Sequence, residues 1–267
     1  MSVNLRPNKP AGSWISGCIA WTRVLTIAIV GFLAATLGSL LMLAFAILTL
    51  FQARRFYSEV IAKQLGRFAL WLCGVKMVIH RQEPLPVGQV VYVSNHTSTL
   101  DVFVLIAMGL PNARYFMYGK LRRILPVGLI GYLIGIFWTV DQCFPEKRKQ
   151  IFERAARALK RTGESVYLSP EGRRVVTGEI GHFNKGAFHI ATDLQAPIQP
   201  FFIHIPKDVN PGFGLVSGAG RVDIYFMPLV STDGWRVEDL ETNRASVREM
   251  FVKFHVGESL GDSQFST

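Results

Sequence analysis

The sequence predicts an α/β domain preceded by an apolar helix or helical hairpin that enters a membrane, and three observations carry that expectation. An uncharged run extends from Val24 to Ala53 near the N-terminus. Beyond Arg55, short β-branched and aromatic runs alternate with stretches of helical periodicity, the pattern of a sheet with helices packed on it. Apolar residues make up 49% of the chain and charged residues 18%, against about 25% charged in an ordinary soluble domain. That balance excludes intrinsic disorder, which needs high charge and few apolar residues. With 29 Lys+Arg against 19 Asp+Glu, the net charge of +10 calls for an anionic partner, whether nucleic acid, anionic lipid or an acidic substrate. Cys18, Cys73 and Cys143 are odd in number and far apart. They form neither a disulfide framework nor a metal cluster, which points to a reducing compartment.

The apolar run exceeds the ~20 residues that cross a hydrocarbon core as a helix. Arg23, Arg54 and Arg55 flank it at headgroup level, with Trp14 and Trp21 near its first boundary. Ala44-Phe45-Ala46 mimics a signal-peptidase site, but the run is too long for a signal peptide and continues past it. A single span and a shallow hairpin folded near Gly38 are both open, and basic flanks on both sides give no clean orientation. Residues 1–57 are therefore read as a membrane-anchoring segment, 58–240 as the main domain and 241–267 as a C-terminal helix and tail. On this reading, deleting residues 1–54 leaves a foldable domain.

Glu59 to Cys73 has helical spacing and stops at Gly74, and a strand follows over Lys76–His80. The turn Glu83-Pro84-Leu85-Pro86 leads into a buried strand, Val90–Val93, and Asp101–Leu110 reads as a short helix ended by Gly109 and Pro111. Residues 124–140 carry no charge, but Pro126, Gly128, Gly131 and Gly135 favour a helical turn or loop feeding the strand Ile136–Val140. A shallow membrane-contacting surface is the alternative there. Lys147–Arg161 is the clearest amphipathic helix, and Val166–Leu168, Ile198–Ile205 and Arg221–Val230 read as further strands.

The chemistry-bearing residues follow strands. In Asn95-His96-Thr97-Ser98-Thr99-Leu100-Asp101, the histidine and aspartate meet if His96 lies in the strand-to-helix turn and Asp101 in the first helical turn. The carboxylate then accepts the imidazole Nδ1–H and leaves Nε2 as a general base. The plainer alternative is a helix cap with a loop histidine. Ser169-Pro170-Glu171-Gly172-Arg173-Arg174 places a glutamate in a tight turn before two guanidiniums, which hold phosphate through paired charge-assisted bonds. Phe183-Asn184-Lys185-Gly186 opens a helix and is a plausible anion site, and exposed basic loops are the bland reading of both.

Taken together, these motifs resemble those of the glycerophospholipid acyltransferases related to 1-acylglycerol-3-phosphate acyltransferase, over roughly residues 75–230. The family's N-H-x-x-x-x-D motif is matched by Asn95, His96 and Asp101. Its second motif, a glycine, a hydrophobic strand and an Asp-Arg pair, is matched by Gly135 to Asp141, with Gln142 where arginine is expected. Its F-P-E-G-T-R motif keeps Pro170, Glu171, Gly172 and Arg174, with Ser169 for phenylalanine and Arg173 for threonine. The F-K-x-G-A stretch is met by Phe183, Gly186 and Ala187 with Lys185 one place late, Lys120 resembles a lysine between the first two motifs, and Ala196 to Phe201 resembles the proline-punctuated fourth.

The resemblance implies a single acyltransferase domain with a central mixed sheet flanked by helices. It implies an O-acyltransferase of phospholipid biosynthesis, acting in or tightly anchored to a membrane with its site facing the cytosol. His96 and Asp101 would be catalytic; Asn95, Lys120, Gln142, Glu171, Gly172, Arg173, Arg174 and Lys185 would bind substrate. The acceptor would be a lysolipid, foremost 1-acyl-glycerol-3-phosphate, and the donor acyl-CoA or acyl carrier protein. No metal or other cofactor is implied, because the thioester is already activated. Two explanations are open for Gln142: either Arg173 supplies the missing charge, or the acceptor is a less anionic lysolipid, one with a larger head group or a lyso-ornithine lipid. A catalytically inactive membrane protein retaining the fold is the remaining alternative. A lipase lacks its G-x-S-x-G elbow here, Gly212-Phe213-Gly214 lacks the third glycine of a nucleotide site, and the dispersed charge does not suit a nucleic-acid-binding module.

Overall fold

The computed structural model describes residues 12–210, 212 and 218–264, with side chains over 21–257 of these. The side chains of Trp14 and Cys18, residues Phe213 and Gly214, and the expected frayed end fall outside that description. Most of the apolar run lies in one continuous 37-residue helix, α1 (Gly12–Leu48). Thr49 to Gln52 turn the chain, and α2 (Arg54–Phe56), a π-helical stretch (Tyr57–Ala62) and α3 (Lys63–Leu72) lead it back.

The returning segment runs antiparallel to α1 along its length. Phe45 meets Phe56 at 4.9 Å between ring centroids. A Cβ at Gly38 would lie 2.7 Å from the Leu65 methyls, one at Gly31 would lie 3.9 Å from Leu72, and Arg23 reaches Gly74. The hairpin expected near Gly38 therefore turns at residues 49–52 instead. Gly38 is small because two helices touch there, not because the chain bends. α1 is also part of the core: Met42 and Ala46 are fully buried among Tyr57, Ala62 and Leu70.

Seven strands follow: β1 (Val75–His80), β2 (Val91–Ser94), β3 (Ala113–Tyr118), β4 (Phe137–Thr139), β5 (Ser165–Leu168), β6 (Ile198–His204) and β7 (Gly220–Phe226). They form one mixed sheet in the order β1-β7-β6-β2-β5-β3-β4. The five strands from β6 to β4 are parallel, and β7, with β1 parallel to it, runs the other way. Side chains alternate between two cores. Tyr92, Tyr167, Phe201 and Ile203 face a layer made by α1, α3, α4 (Asp101–Met108) and α5 (Leu125–Ile134). Val91, Val93, Val166, Leu168 and Phe202 face a layer made by α6 (Pro145–Thr162), α7 (Gly186–Leu194) and α8 (Leu240–Gln264).

Strand β3 is the element the sequence reading does not assign. Its charge, Arg114, sits inside an otherwise aromatic run and is held within the fold by Gly135 O at 2.6 Å and by the Phe137 ring at 3.9 Å. Burial, the largest influence, lowers this guanidinium to about 10. Residues 124–140 form α5 and β4, with Leu125 and Tyr132 more than two-thirds exposed beside α1.

The close approach at Gly38 makes a specific expectation. Gly38→Leu forces α1 from the returning helix and is expected to destabilise the protein by about 1–3 kcal/mol, as overpacking does. Adding Leu65→Ala is expected to recover most of the loss. Thermal melting of the three variants in detergent checks it; no recovery in the double variant would show that the two positions do not touch.

Candidate active site

The site lies at the carboxyl end of β2, the strand flanked by β6 and β5. After β2 the chain crosses through α4 to β3, beyond β5; after β5 it crosses through α7 to β6, on the opposite side of β2. Loops that part in opposite directions open a crevice outside the strand ends, and α/β sheets bind ligands there.

His96 occupies the turn between β2 and α4, and Asp101 is the first residue of α4. The imidazole Nδ1 lies 2.6 Å from Asp101 Oδ2. The same oxygen accepts the Thr97 N–H at 2.9 Å and the Ser98 N–H at 3.0 Å. An oxygen that accepts two backbone N–H groups is placed as an acceptor toward the ring as well, an arrangement that suits a proton on Nδ1 and turns Nε2 outward. Asp101 is 1% exposed and the His96 side chain 26%, so the pair has one end sealed and one end open. Asp101 Oδ1 is buried without a partner among the described residues. All the acceptor capacity that is used converges on one oxygen.

A second buried carboxylate holds the backbone of the same turn. Glu171 Oε2 accepts the His96 N–H at 2.6 Å, and Oε1 accepts the Gly181 N–H at 2.8 Å. The Val175 N–H donates to His96 O at 2.8 Å, so the loop after β5 holds both the N–H and the C=O of His96. Burial, the largest influence, raises the Glu171 carboxyl above its ordinary range, against the lowering effect of the two N–H groups and His96. A third loop closes from β6: Ser98 Oγ donates to Asn210 Oδ1 at 2.9 Å, and Arg174 Nη1 donates to Gly212 O at 3.0 Å.

Several expected substrate contacts prove to be internal. Asn95 is 1% exposed; its amide donates to Ile203 O at 2.9 Å and accepts the Ile203 N–H at 2.8 Å, stitching β2 to β6. Glu171 likewise turns both oxygens to backbone N–H groups, one of them that of His96. Lys185 is engaged by Glu241 of α8 at 3.1 Å, and Lys120 lies 3.9 Å from Asp141 on the exposed rim. Arg173 is exposed and makes no hydrogen bond or ion pair among the described residues.

Gln142, Gly172 and Asn184 do come together, with a residue the sequence reading passes over. Gly172 has φ +65°, and a Cβ there would lie 2.9 Å from both Gln142 Nε2 and Asn184 Nδ2 and 3.7 Å from Arg148 Nη2. Glycine is required for conformation and for space. Arg148, in the first turn of α6, donates to Val140 O at 3.1 Å and brings its guanidinium to this cluster; burial lowers its pKa from the usual arginine value. Only its place six residues after Gln142, on the inward edge of a basic helix, marks it in sequence.

The chain matches the family model described as "Acyltransferase" over residues 76–204. It is 25% identical over 73% of its length to a 1-acyl-sn-glycerol-3-phosphate acyltransferase of Cocos nucifera and 30% identical over 67% to 1-acyl-sn-glycerol-3-phosphate acyltransferase alpha of Mus musculus. It spans 62% and 64% of the lengths of those two relatives. In three dimensions it resembles the crystal structure of the 1-acyl-sn-glycerophosphate (LPA) acyltransferase, PlsC, from Thermotoga maritima, with a TM-score of 0.71 at 19% identity, covering 88% of this chain and 97% of that one. At that identity the likeness shows the fold.

The double acceptance by Glu171 generates a test. In Glu171→Gln one of the two backbone N–H groups faces an amide NH₂ instead of an oxygen, a loss of about 1–3 kcal/mol for a buried unmet donor. Activity is expected to fall at least about tenfold as the His96 peptide loosens. Turnover and melting temperature together check it; unchanged turnover would remove Glu171 from the support of His96.

Proposed function

From the premise that the chain belongs to the acyltransferase family, we propose that it transfers a fatty acyl chain from a thioester donor to the free hydroxyl of a lysolipid, foremost 1-acyl-glycerol-3-phosphate, forming phosphatidate. The observation that carries this reading is the His96–Asp101 pair, sealed at the carboxylate and open at Nε2. His96 Nε2 takes the proton of the acceptor hydroxyl as its oxygen attacks the thioester carbonyl. The tetrahedral intermediate expels the thiolate, and the imidazolium returns the proton to it. Asp101 holds the tautomer and balances the imidazolium charge through Nδ1. The acceptor is itself the nucleophile, so the reading needs no acyl-enzyme.

Phosphate recognition falls to the cluster around Gly172. Gln142 cannot replace a guanidinium against a phosphate dianion, and Arg148 supplies the missing positive charge at the same place, with Arg173 on the open side. This extends the expectation of compensation by Arg173 and favours lysophosphatidate over a less anionic acceptor.

The protein acts at a membrane surface. Within Trp21–Leu48 of α1 an 18-residue window has a mean hydropathy of 2.3 and is 17% buried, leaving a long apolar flank open. Because α1 is packed along α3, a full crossing would carry Lys63 and Arg67 into hydrocarbon, at several kcal/mol each. The hairpin therefore sits in one leaflet, with the thioester site on the cytosolic side, where the donor is soluble.

His96→Ala is expected to abolish thiol release from acyl-CoA in the presence of lysophosphatidate. Asp101→Asn is expected to lower it ~10²- to 10⁴-fold with the fold intact. Near-native turnover in His96→Ala would contradict the assignment. For the phosphate cluster, Arg148→Gln and Arg173→Thr are each expected to raise the lysophosphatidate KM about tenfold with a smaller change in kcat, and the double variant more. Equal KM values in all variants would move the acceptor toward a less anionic lysolipid.

A further inference from the structure

Resting on the acyl-transfer reading, we propose that the exposed face of α6 is the docking surface for an acidic carrier protein that presents the acyl thioester, so that the donor arrives protein-bound. Helix α6 holds seven basic residues and two acidic ones, a net of +5 out of the +10 of the whole chain. Lys147, Lys149, Arg154, Arg157, Lys160 and Arg161 are all exposed. None of them forms an ion pair among the described residues: Arg154 donates to Gln150 O, and Lys147 lies over the Phe144 ring. Several basic residues elsewhere are paired with carboxylates, as in Arg54–Glu164, Lys120–Asp141, Lys185–Glu241 and Lys253–Glu249. A helix that concentrates half the net charge and leaves it unneutralised is built for an anionic partner.

Two placements identify which anion. α6 packs on the face of the sheet opposite to α1, α3 and α5, through Ala155 and Leu159, so its exposed side looks away from the apolar hairpin and into water. The hairpin comes near α6 where Arg54 pairs with Glu164, two residues past the helix end, while the basic face from Lys147 to Arg157 lies on the other side of the sheet. The first turn of α6 also carries Arg148 to the Gly172 loop, so the helix starts at the rim of the active site and leads away from it for 18 residues, ~27 Å. That length matches a folded protein lying alongside and handing a tethered thioester to His96. It exceeds what the phosphates of one nucleotide would touch.

The test uses the full chain in detergent with two donors: a palmitoylated acidic acyl carrier protein and palmitoyl-CoA. Carrier binding is measured by fluorescence anisotropy and turnover by thiol release. Wild-type binding is expected to weaken at least about tenfold between about 50 and 300 mM salt. In Arg154→Glu/Arg157→Glu/Lys160→Glu, binding is expected to weaken and the carrier KM to rise at least about tenfold. The palmitoyl-CoA KM is expected to stay within about twofold. The matching Gln triple variant, expected to fall between, decides the matter if the Glu variant does not fold. Failure of the wild type to bind the carrier, unaffected carrier binding in the variants, or equal KM changes for both donors would each overturn the docking surface. Absence of turnover with either donor, while carrier binding still depends on α6, would sink the acyl-transfer reading and leave the docking surface standing.

Discussion

The arrangement depends on one buried oxygen. Asp101 Oδ2 receives the His96 ring and the backbone N–H groups of Thr97 and Ser98. These three bonds fix the turn after β2, the start of α4 and the histidine tautomer together. A buried carboxylate without such partners would neutralise itself. Here the partners come from the turn that the carboxylate organises. Glu171 repeats the principle one shell out, exchanging a costly burial for two backbone N–H groups, one of them that of His96. The His96 turn is thereby tied to loops from β5 and β6, the strands on either side of β2.

The two faces of the sheet have divided the labour. One carries the apolar hairpin and the helices it packs on; the other carries the basic helix α6 and its neighbours. The crevice at the strand ends lies between them, where the proposed reaction would meet its acceptor from lipid and its donor from water. The composition, apolar for a soluble domain yet strongly basic, is the sum of these two surfaces rather than a property of either.

Local signals made most of the fold legible. Gly74, Gly109 and Gly163 mark helix ends, and the β-branched runs at Val90–Val93 and Ile198–Ile205 become central strands. The pairing of His96 with Asp101 was readable because both lie in one seven-residue turn. What was not readable depends on contacts between distant segments. Asn95 looks like a site residue until its amide is seen on Ile203. Arg114 hides β3, because its partners Gly135 and Phe137 lie more than 20 residues away. Arg148 reaches Gly172 only through the packing of α6, and Gly38 reads as a hinge until Leu65 is found against it. In each case a short-range rule was correct and a tertiary contact outweighed it.

The central claim is that Asp101 keeps the proton on Nδ1 and leaves Nε2 free as the base. Nitrogen-15 NMR of histidine-labelled protein, with His96 assigned by comparison with His96→Ala, reads this directly. At neutral pH the account predicts, for the uncharged ring, a pyrrole-type, protonated Nδ1 and a pyridine-type Nε2. A protonated Nε2 with a bare Nδ1 would contradict it, because the open face of the histidine would then have no base to offer.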